Sequence, residues 1–577
     1  MFPKLFWVLV LTGILLLSIT LSFAQRTGND TINTGVIDVV KPYTPTISDA
    51  FKVKEVPALD DVAAPTKKEI KYNIFSFPVA STFTPAKGKA QGLEKAKKEV
   101  YYDNYASLGV GNFTTVLGEL YVNHAFNRNE SIGGHISHHS SGGGIKDLEF
   151  DDNFLDSKIN LNYTKQLREL SWNAEGGFQY QNFNWYGVPE SQIAAANVAN
   201  IETNHAFINA HVGGGVSFND TYINSAEIMF RRFADNQNSG ENRLSLKTLV
   251  DVPFRDTEIA TTLKIDYLGG GFERAYTTND ALEDGNFQVG LSPSYKFEKN
   301  DLTLNLGFSA FYLNDLEASE NKFFVYPNIK ASYNLASDVL IAYGGITGDL
   351  IQNSYHGFAT KNSFVSPTLF VTPTDQQYNA FLGLKGKLTS TMSYDISGSY
   401  VSEKNKALFR NNEIIATDEA YTFGNSFGVI YDNVATFGAA GQINVDVNRN
   451  FKLALKAEYF NYDTKGQLEA WNLPELKGSV FLDYQISEKW FTGANLFFVG
   501  ERKDQFFEAN PLISSVPQIV TLDSYFDANA HAGYHINNQL SAFLKLNNIA
   551  NQGYEQWQNF PVQTFQVLAG ATYKFDF

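Results

Sequence analysis

Long alternating segments joined by turns of unequal length run from about Tyr101 to Phe577, and this pattern restricts the fold more than any single motif. In the stretch KLALKAEYF at 452–460, four apolar residues fall on one face and a mixed set falls on the other. A side-chain period of two indicates a β-strand. Many of these segments are longer than the strands of a soluble β-sandwich, and they are rich in Tyr, Phe, Val, Leu and Gly.

The connections between the segments alternate between short and long. Short polar turns recur at Asn127–Asn129, Leu167–Glu169, Asn219–Asp220, Arg255–Asp256, Lys299–Asn300, Ser337–Asp338, Thr389–Ser390, Asn448–Asn450, Glu488–Lys489 and Asn537–Asn538. The longest connections between them are Ile351–Thr374, Ser402–Ala420 and Glu501–Thr521. Short turns at one end and long loops at the other are typical of an outer-membrane barrel.

Counting strands through these turns gives an even number. Ten short turns define ten hairpins, and one further strand precedes them and another follows, which gives about 22 strands. We interpret Phe423–Asn433 as an extension of the strand that begins near Val434, because a separate strand there would make the count odd. The sequence thus predicts an all-β fold, a transmembrane antiparallel β-barrel over residues 99–577, with both termini on the periplasmic side.

The last strand alternates without a break up to Phe577. Its apolar face consists of Phe565, Val567, Ala569, Ala571, Tyr573, Phe575 and Phe577. A barrel closes by pairing its last strand with its first, so this strand needs one lipid face and one lumen face. The aromatic residues Tyr573, Phe575 and Phe577 fit the C-terminal signal that the barrel-insertion machinery recognises in outer-membrane proteins generally. We therefore expect that machinery to be a partner during assembly.

The N-terminus predicts export. Residues 1–24 combine an early lysine, an apolar run and a small-residue end, with Ser22 and Ala24 at the positions that a signal peptidase reads. We expect a signal peptide cleaved after Ala24, and an uncleaved membrane anchor is the alternative. No later stretch is apolar over the length that a membrane-spanning helix needs, so a membrane role has to be met by strands.

Composition and spacing argue against several functions. The chain has no cysteine, which rules out disulfides, thiolate catalysis and cysteine-bound zinc, and its net charge of -16 argues against nucleic acid as a partner. His135, Ser137 and His139 are expected on one lumen-facing strand face, but the two histidines would lie about 13 Å apart, too far to share a metal ion. No nucleophile and base lie within reach of each other. We predict no enzyme activity, no metal and no cofactor.

The end of the chain resembles the end of a TonB-dependent receptor barrel. Residues 523–577 contain a tight turn within INNQLSAF, a strand that ends in an N-N-I/L-x-N-x-x-Y pattern, and a last strand that ends in aromatic-x-aromatic. The pattern residues here are Asn547, Asn548, Ile549, Asn551 and Tyr554. The segments VIDVVKPYTPTISDAFKVKEVPAL and YYDNYASLGVGNFTTVLGELYVNH resemble short receptor-like barrels of Bacteroidota. The resemblance implies a Gram-negative outer-membrane location and solute transport.

The segment before the barrel departs from that family. Receptors of this kind carry a much longer plug domain, whereas only residues 25–98 lie between the signal peptide and the barrel. Six of the 17 prolines are in this segment: Pro42, Pro45, Pro57, Pro65, Pro78 and Pro85. Since prolines at this density disfavour both a β-ladder and a helix, we expect an extended segment that threads the lumen or reaches into the periplasm. A 22-stranded lumen is normally plugged, so this segment, inward-folded loops or a partner protein must fill it.

The stretch GVIDVVKPY is a candidate contact for the inner-membrane TonB protein. Ile37, Val39 and Val40 are the apolar residues of a short strand near the mature N-terminus, and such a strand can pair with a partner by β-augmentation. A structural strand or a lumen contact is the alternative reading of the same residues.

Three functions are compatible with these features. The first is a receptor-like transporter in which a solute binds aromatic outer loops such as QNFNWYG and QNSYHGF. The second is a non-transporting subunit that anchors or assists an outer-membrane assembly or export complex, and the third is a passive pore. In each case the barrel contacts outer-membrane lipids and lipopolysaccharide. The family resemblance favours the transporter.

Overall fold

The computed structural model describes residues 101–189, 201–219, 221–255, 257–415, 419–448, 450–508 and 516–577. Over these residues the strands are β1 (Asn104–Gly111), β2 (Val116–Asn127), β3 (Glu130–Ser141), β4 (Phe154–Gln166), β5 (Leu170–Asn184), β6 (Asn204–Phe218), β7 (Ile223–Asp235), β8 (Gly240–Phe254), β9 (Thr257–Phe272), β10 (Leu282–Lys299), β11 (Leu302–Asp315), β12 (Glu320–Ala336), β13 (Leu340–Ile351), β14 (Thr374–Thr389), β15 (Met392–Asn411), β16 (Phe427–Asn448), β17 (Phe451–Thr464), β18 (Leu476–Gln485), β19 (Trp490–Val499), β20 (Arg502–Glu508), β21 (Val516–Leu522), β22 (Tyr525–His535), β23 (Leu540–Asn547), β24 (Glu555–Trp557), β25 (Phe560–Pro561) and β26 (Gln566–Phe575). Helix α1 (Tyr355–Lys361) lies between β13 and β14.

A single closed antiparallel sheet of 22 strands forms the barrel. Neighbouring strands pair in chain order, and β20–β21 and β24–β25 form two small hairpins within the connections β19–β22 and β23–β26. The last strand closes the barrel against the first, from Asn104 opposite Phe575 to Gly111 opposite Leu568. The predicted all-β barrel and its strand number are confirmed.

The two ends of the barrel differ as the sequence predicts. All ten short turns lie at one end, which we call the short-turn end, and β1 begins and β26 ends there. The other end, the long-loop end, carries the long connections, and α1 is in one of them. Among the described residues, no helix has the length and apolar character needed to cross a bilayer.

Alternation divides each strand between an outer face and a lumen face. Large apolar side chains point outward and are exposed, among them Ile159, Leu161, Phe308, Val325, Leu382 and Leu455. Their neighbours along the strands point into the lumen and include polar and charged residues such as Lys158, Asn160 and Lys456. An apolar exterior around a polar interior is the pattern of a transmembrane barrel.

One predicted loop is shorter than expected. The sequence predicts a long connection over Ser402–Ala420, but β15 continues to Asn411 and pairs with β16 from Phe427 onward. The extension is stable as strand because both its faces are covered: Leu408 is buried against Trp471, and Phe409 packs against the loops of the long-loop end. The interpretation of Phe423–Asn433 as part of the following strand is correct from Phe427.

Candidate functional site

A layer of packed loops covers the long-loop end, and we call it the loop cap. It consists of the described residues of the connections 142–153, 185–203, 273–281, 352–373, 412–426, 465–475, 500–524 and 548–565. The cap contains its own buried core, with Trp185, Tyr355, Phe358 and Phe560 almost fully shielded. These loops therefore form an ordered layer with a core of its own.

Helix α1 is the part of the cap that enters the barrel mouth. Ser354 caps its N-terminus, where its Oγ accepts a hydrogen bond from Gly357 N at 3.0 Å. The buried residues Tyr355, Phe358 and Ala359 lie on one helical face by their spacing of three and four. This face packs into the lumen side of β6–β9, so the connection between β13 and β14 folds inward over the lumen.

A single carboxylate on the barrel wall holds the start of α1. Glu241 of β8 is buried, and its two oxygens accept the backbone N–H groups of Tyr355 at 2.5 Å and His356 at 3.0 Å. Those N–H groups have no partner within a helix, and the positive end of the helix dipole favours an anion there. Glu241 thus acts as a latch between the wall and α1.

An apolar floor supports the latch. Phe207 and Phe233 of β6 and β7 and Phe272 of β9 pack against the Tyr355 ring, whose centroid lies 5.1 Å from those of Phe233 and Phe272. The Tyr355 hydroxyl donates a hydrogen bond of 2.6 Å to Asp235. The helix is therefore held by one buried ring and two carboxylates.

The electrostatics of the latch keep His356 neutral. Burial, together with the positive charges of Arg231 and Arg243, lowers the pKa of His356 to about 3. Its Nδ1 lies 3.2 Å from an Arg231 guanidinium nitrogen, which donates to it. Arg243 is paired with Asp266 through two hydrogen bonds of 2.9 and 2.6 Å.

Aromatic contacts join the other loops to this helix segment. Phe364 stacks on Phe560 with centroids 3.9 Å apart, and Tyr186 packs on both rings at 5.4 and 5.0 Å. Trp185 stacks on His205 at 3.9 Å, and its carbonyl accepts a hydrogen bond from Asn425 Nδ2 at 2.8 Å. Three separate connections thus meet in one aromatic cluster.

A buried aspartate ties the β20–β21 hairpin into the cap. Asp504 accepts hydrogen bonds from Asn411 N at 3.0 Å and from Asn472 Nδ2 at 2.8 Å. Burial raises the pKa of this carboxyl to about 6. Arg502 on the same strand donates to the carbonyl of Glu555 at 2.8 Å, which connects the hairpin to the connection β23–β26.

The sequence-predicted site residues fall in different places. Tyr573 and Phe577 are 46% and 82% exposed, and Phe575 lies between them with ring centroids 5.9 and 5.5 Å away. They lie together at the short-turn end, and their role as an insertion signal stays a prediction. Ile37, Val39 and Val40 lie outside the described residues.

The lumen histidines form no metal centre in the described part of the chain. His135 and His139 lie on β3, where the side-chain alternation that exposes Ile132 and Ile136 turns them to the opposite, lumen face. No group of three or more histidine, aspartate or glutamate side chains in the described ranges is arranged to hold a metal ion.

The aromatic outer loops differ from expectation. In QNFNWYG and QNSYHGF, Trp185 and Tyr355 are fully buried, so they hold the cap together and are not presented to a solute. Glu241 and α1 were missed by sequence reasoning. The available signal was a capping serine, Ser354, followed by apolar residues at helical spacing within one of the longest connections.

Comparisons with known proteins agree with this architecture. The chain is similar to the ferripyoverdine receptor of the outer membrane of Pseudomonas aeruginosa, with 14% identity, a TM-score of 0.59, and coverage of 83% of this chain and 72% of that one. It is similar to the ferric-catecholate import receptor Fiu from E. coli K12 (11%, 0.57, covering 83% of both chains). It is also similar to the iron transporter FrpB from Neisseria meningitidis (9%, 0.59, covering 83% and 82%). No protein-family model matches the sequence, and no curated protein matches it.

The neighbours are a receptor of the outer membrane, an import receptor and an iron transporter. Their shared barrel, together with the apolar exterior of this one, supports a location in the outer membrane. The chain therefore has the barrel fold of the TonB-dependent outer-membrane receptors.

Proposed function

We propose that this protein is a receptor-like transporter that moves a solute across the outer membrane, with α1 as its gate. The observation that carries the proposal is the Glu241 latch, which holds an inward-folded loop in the barrel mouth. A 22-stranded barrel encloses a lumen that is too wide to be left open, so an element that closes it must also be able to move if a solute is to pass.

The contacts of α1 suit an element that moves. The helix has seven residues and is attached to the wall mainly through Glu241, Asp235 and one apolar face. The wall strands, in contrast, pair along continuous hydrogen-bonded ladders. Elements that open in proteins are drawn from regions with few such bonds. Displacement of α1 leaves the barrel sheet unchanged.

Orientation and partners are part of the same proposal. The loop cap faces the exterior, the short turns and both termini face the periplasm, and lipids and lipopolysaccharide surround the apolar wall. The insertion machinery recognises Tyr573, Phe575 and Phe577. The similar proteins bind or import ferripyoverdine, ferric catecholates and iron, and for this chain we propose a solute without assigning it to those classes.

The N-terminal segment supplies the energy coupling and part of the filling. Residues 25–98 take the place of a full plug, and Ile37, Val39 and Val40 pair with TonB by β-augmentation. Substitution of Val39 and Val40 by proline removes a pairing N–H and blocks the extended ladder. Energised uptake is then lost, whereas the amount of protein in the outer membrane is unchanged. Uptake equal to that of the parent protein contradicts the coupling role.

Single-channel conductance in planar bilayers tests the gate. The parent protein is compared with Glu241→Ala, with a variant lacking residues 25–98, and with both changes together. Glu227→Ala is the matched control, because Glu227 is a glutamate on neighbouring β7, four residues before Arg231, which meets His356 of α1. We expect large conductance with Glu241→Ala combined with the deletion, and a closed barrel in the parent and in the control.

Other results assign a different function. Large conductance in the parent protein indicates a passive pore and contradicts a gate. Silence in every variant favours the second candidate, a non-transporting subunit of an assembly or export complex. The aromatic cluster of Tyr186, Phe364 and Phe560 is the observation that favours this candidate, because it packs three connections of the cap together.

A further inference from the structure

A group of basic side chains lines the lumen wall directly beneath α1. His211 on β6, Arg231 on β7 and Arg243 on β8 are register partners, so they stand side by side across three strands. Lys158 on β4 lies in the adjoining row. The residues that alternate with them on the strands, such as Val212 and Phe230, are exposed on the outer face, which places the basic group on the lumen side.

The charge of this group is only partly compensated. Arg243 is matched by Asp266, and the Glu241 carboxylate is occupied by the N–H groups of α1. Neither Arg231 nor Lys158 has an ion-pair partner in the part of the chain that the structure describes. A cationic side chain without a counter-charge in a partly enclosed site attracts an anion strongly, because the surrounding dielectric constant is low.

Unused hydrogen-bonding atoms point to the same place. The Nε of Arg231 and the Nδ1 of His211 are buried and have no hydrogen-bond partner. Buried polar atoms in proteins are nearly always paired, so these two atoms on register-partner residues are available to a ligand. The Lys158 side chain is exposed to the lumen and free to reach such a ligand.

A glycine gives His211 its position. Gly177 on β5 is the register partner of His211, and a Cβ at this glycine would lie 2.3 Å from His211 Cε1 and 2.4 Å from Asn160 Oδ1. The imidazole therefore occupies the space above Gly177, and in the order of the strands it lies between Lys158 and Arg231. Burial is the largest cause of the low pKa of His356, and the charges of Arg231, Arg243 and Lys158 lower it further.

We propose that Arg231, Lys158 and His211 form a binding site for an anionic group, a phosphate or a carboxylate, on a solute that enters the lumen beneath α1. The Arg231 guanidinium donates to His356 Nδ1 through one terminal nitrogen and has an unpaired Nε–H for an anion oxygen, and Lys158 adds a point charge. The assignment of this anion to the transported solute depends on the proposed function, but the site itself does not.

Equilibrium binding tests the site. Inorganic phosphate, and citrate in a parallel series, is titrated into the purified full chain in neutral detergent by calorimetry. The variants are Lys158→Gln and Arg231→Gln. Lys456→Gln is the matched control, because Lys456 alternates with outward-facing Leu455 on β17 but is paired with Glu458 at 2.8 Å. Retention of the compact mobility of a folded barrel on unheated gels confirms that each variant is folded.

We expect the parent protein and Lys456→Gln to bind phosphate, citrate or both, with affinity lowered about tenfold or more in Lys158→Gln and Arg231→Gln. Absence of binding to the parent protein overturns the site, and so does equal affinity in all variants. If Arg231→Gln does not fold, Lys158→Gln decides the result, since its side chain is exposed. If the parent protein binds the anion but no gate variant conducts, the proposed transport is wrong and the site is retained. If a gate variant conducts but the parent protein binds no anion, the site is wrong and the proposed transport is retained.

Discussion

In the barrel wall the large apolar side chains point outward and are exposed, whereas in the loop cap they point inward and are buried. Phe308 on the wall is 47% exposed, and Phe560 in the cap is 1% exposed. The wall is held by hydrogen-bonded ladders between neighbouring strands, which lipid cannot replace. The cap is held by packed rings and a few buried polar contacts, as in a small water-soluble core. The two regions should therefore respond differently to the same kind of change.

The largest expected effect is on the aromatic cluster of the cap. Phe560→Ala removes the ring on which Phe364 and Tyr186 pack, and a truncation of this size in a buried core costs about 3–5 kcal/mol. We expect hydrogen exchange in the connections 352–373 and 548–565 to accelerate accordingly, while the wall strands stay protected. Phe308→Ala is the matched control and should leave the cap unchanged, because its side chain faces lipid. Equal acceleration in wall and cap would show that they are one cooperative unit.

A smaller effect on the docking of α1 is expected when the pH is lowered. The pKa of His356 in the docked helix is lowered to about 3, below its ordinary value near 6.5, so docking favours the neutral ring. Docking is fully stable above the ordinary pKa and weakens as the pH falls below it. Between about pH 7 and about pH 5 the loss is about 2 kcal/mol. The protection factors of residues 355–361, which compare the measured exchange rate with the intrinsic rate at the same pH, should fall over this range.

His356→Gln checks the origin of that loss. Glutamine retains an acceptor for the Arg231 donor but does not titrate, so the protection factors of α1 in this variant should be nearly independent of pH over the same range. An unchanged pH dependence in His356→Gln would contradict the assignment to this ring.

The β20–β21 hairpin should respond to acid in the opposite direction. Burial raises the pKa of Asp504 to about 6, above its ordinary value near 3.8, so the folded hairpin favours the protonated carboxyl. Its stability rises as the pH falls through about 6 and levels off near the ordinary pKa. The gain between about pH 7 and about pH 5 is about 1 kcal/mol. The protection factors of β20 should rise in acid, and Asp504→Asn should abolish the rise.

The wall could be predicted from the sequence because its rules are local. The alternation in KLALKAEYF and polar turns such as Lys299–Asn300 each specify structure within a few residues, and together they give the correct number of strands. The overestimated loop over Ser402–Ala420 is the exception. It failed because the extension of β15 is stabilised by Leu408 and Phe409, whose partners are distant loops.

The cap could not be predicted because its contacts join residues that are far apart in the chain. Glu241 and Tyr355 meet only after the barrel has brought β8 beneath the connection between β13 and β14. Aromatic residues in a loop, such as Trp185, have the same appearance in sequence whether they are exposed to a ligand or buried in a core. Whether such a residue is exposed or buried depends on which loops the closed barrel brings together.

The smallest expected effect on stability is at Phe577. A substitution there distinguishes the stability of the finished wall from the efficiency of its assembly. The side chain is 82% exposed and contacts Phe575 at a ring distance of 5.5 Å, so Phe577→Ala should change the thermal stability of the inserted barrel by less than about 0.5 kcal/mol. If Tyr573, Phe575 and Phe577 form the signal read by the insertion machinery, the same variant should nevertheless lower the amount of folded barrel in the outer membrane. Leu382→Ala is the control, since Leu382 is 73% exposed in the middle of the wall and should affect neither quantity. Equal membrane yields for the two variants would contradict a role of Phe577 in the insertion signal. A loss of thermal stability in Phe577→Ala would mean that this residue stabilises the wall in the same way as the paired strands.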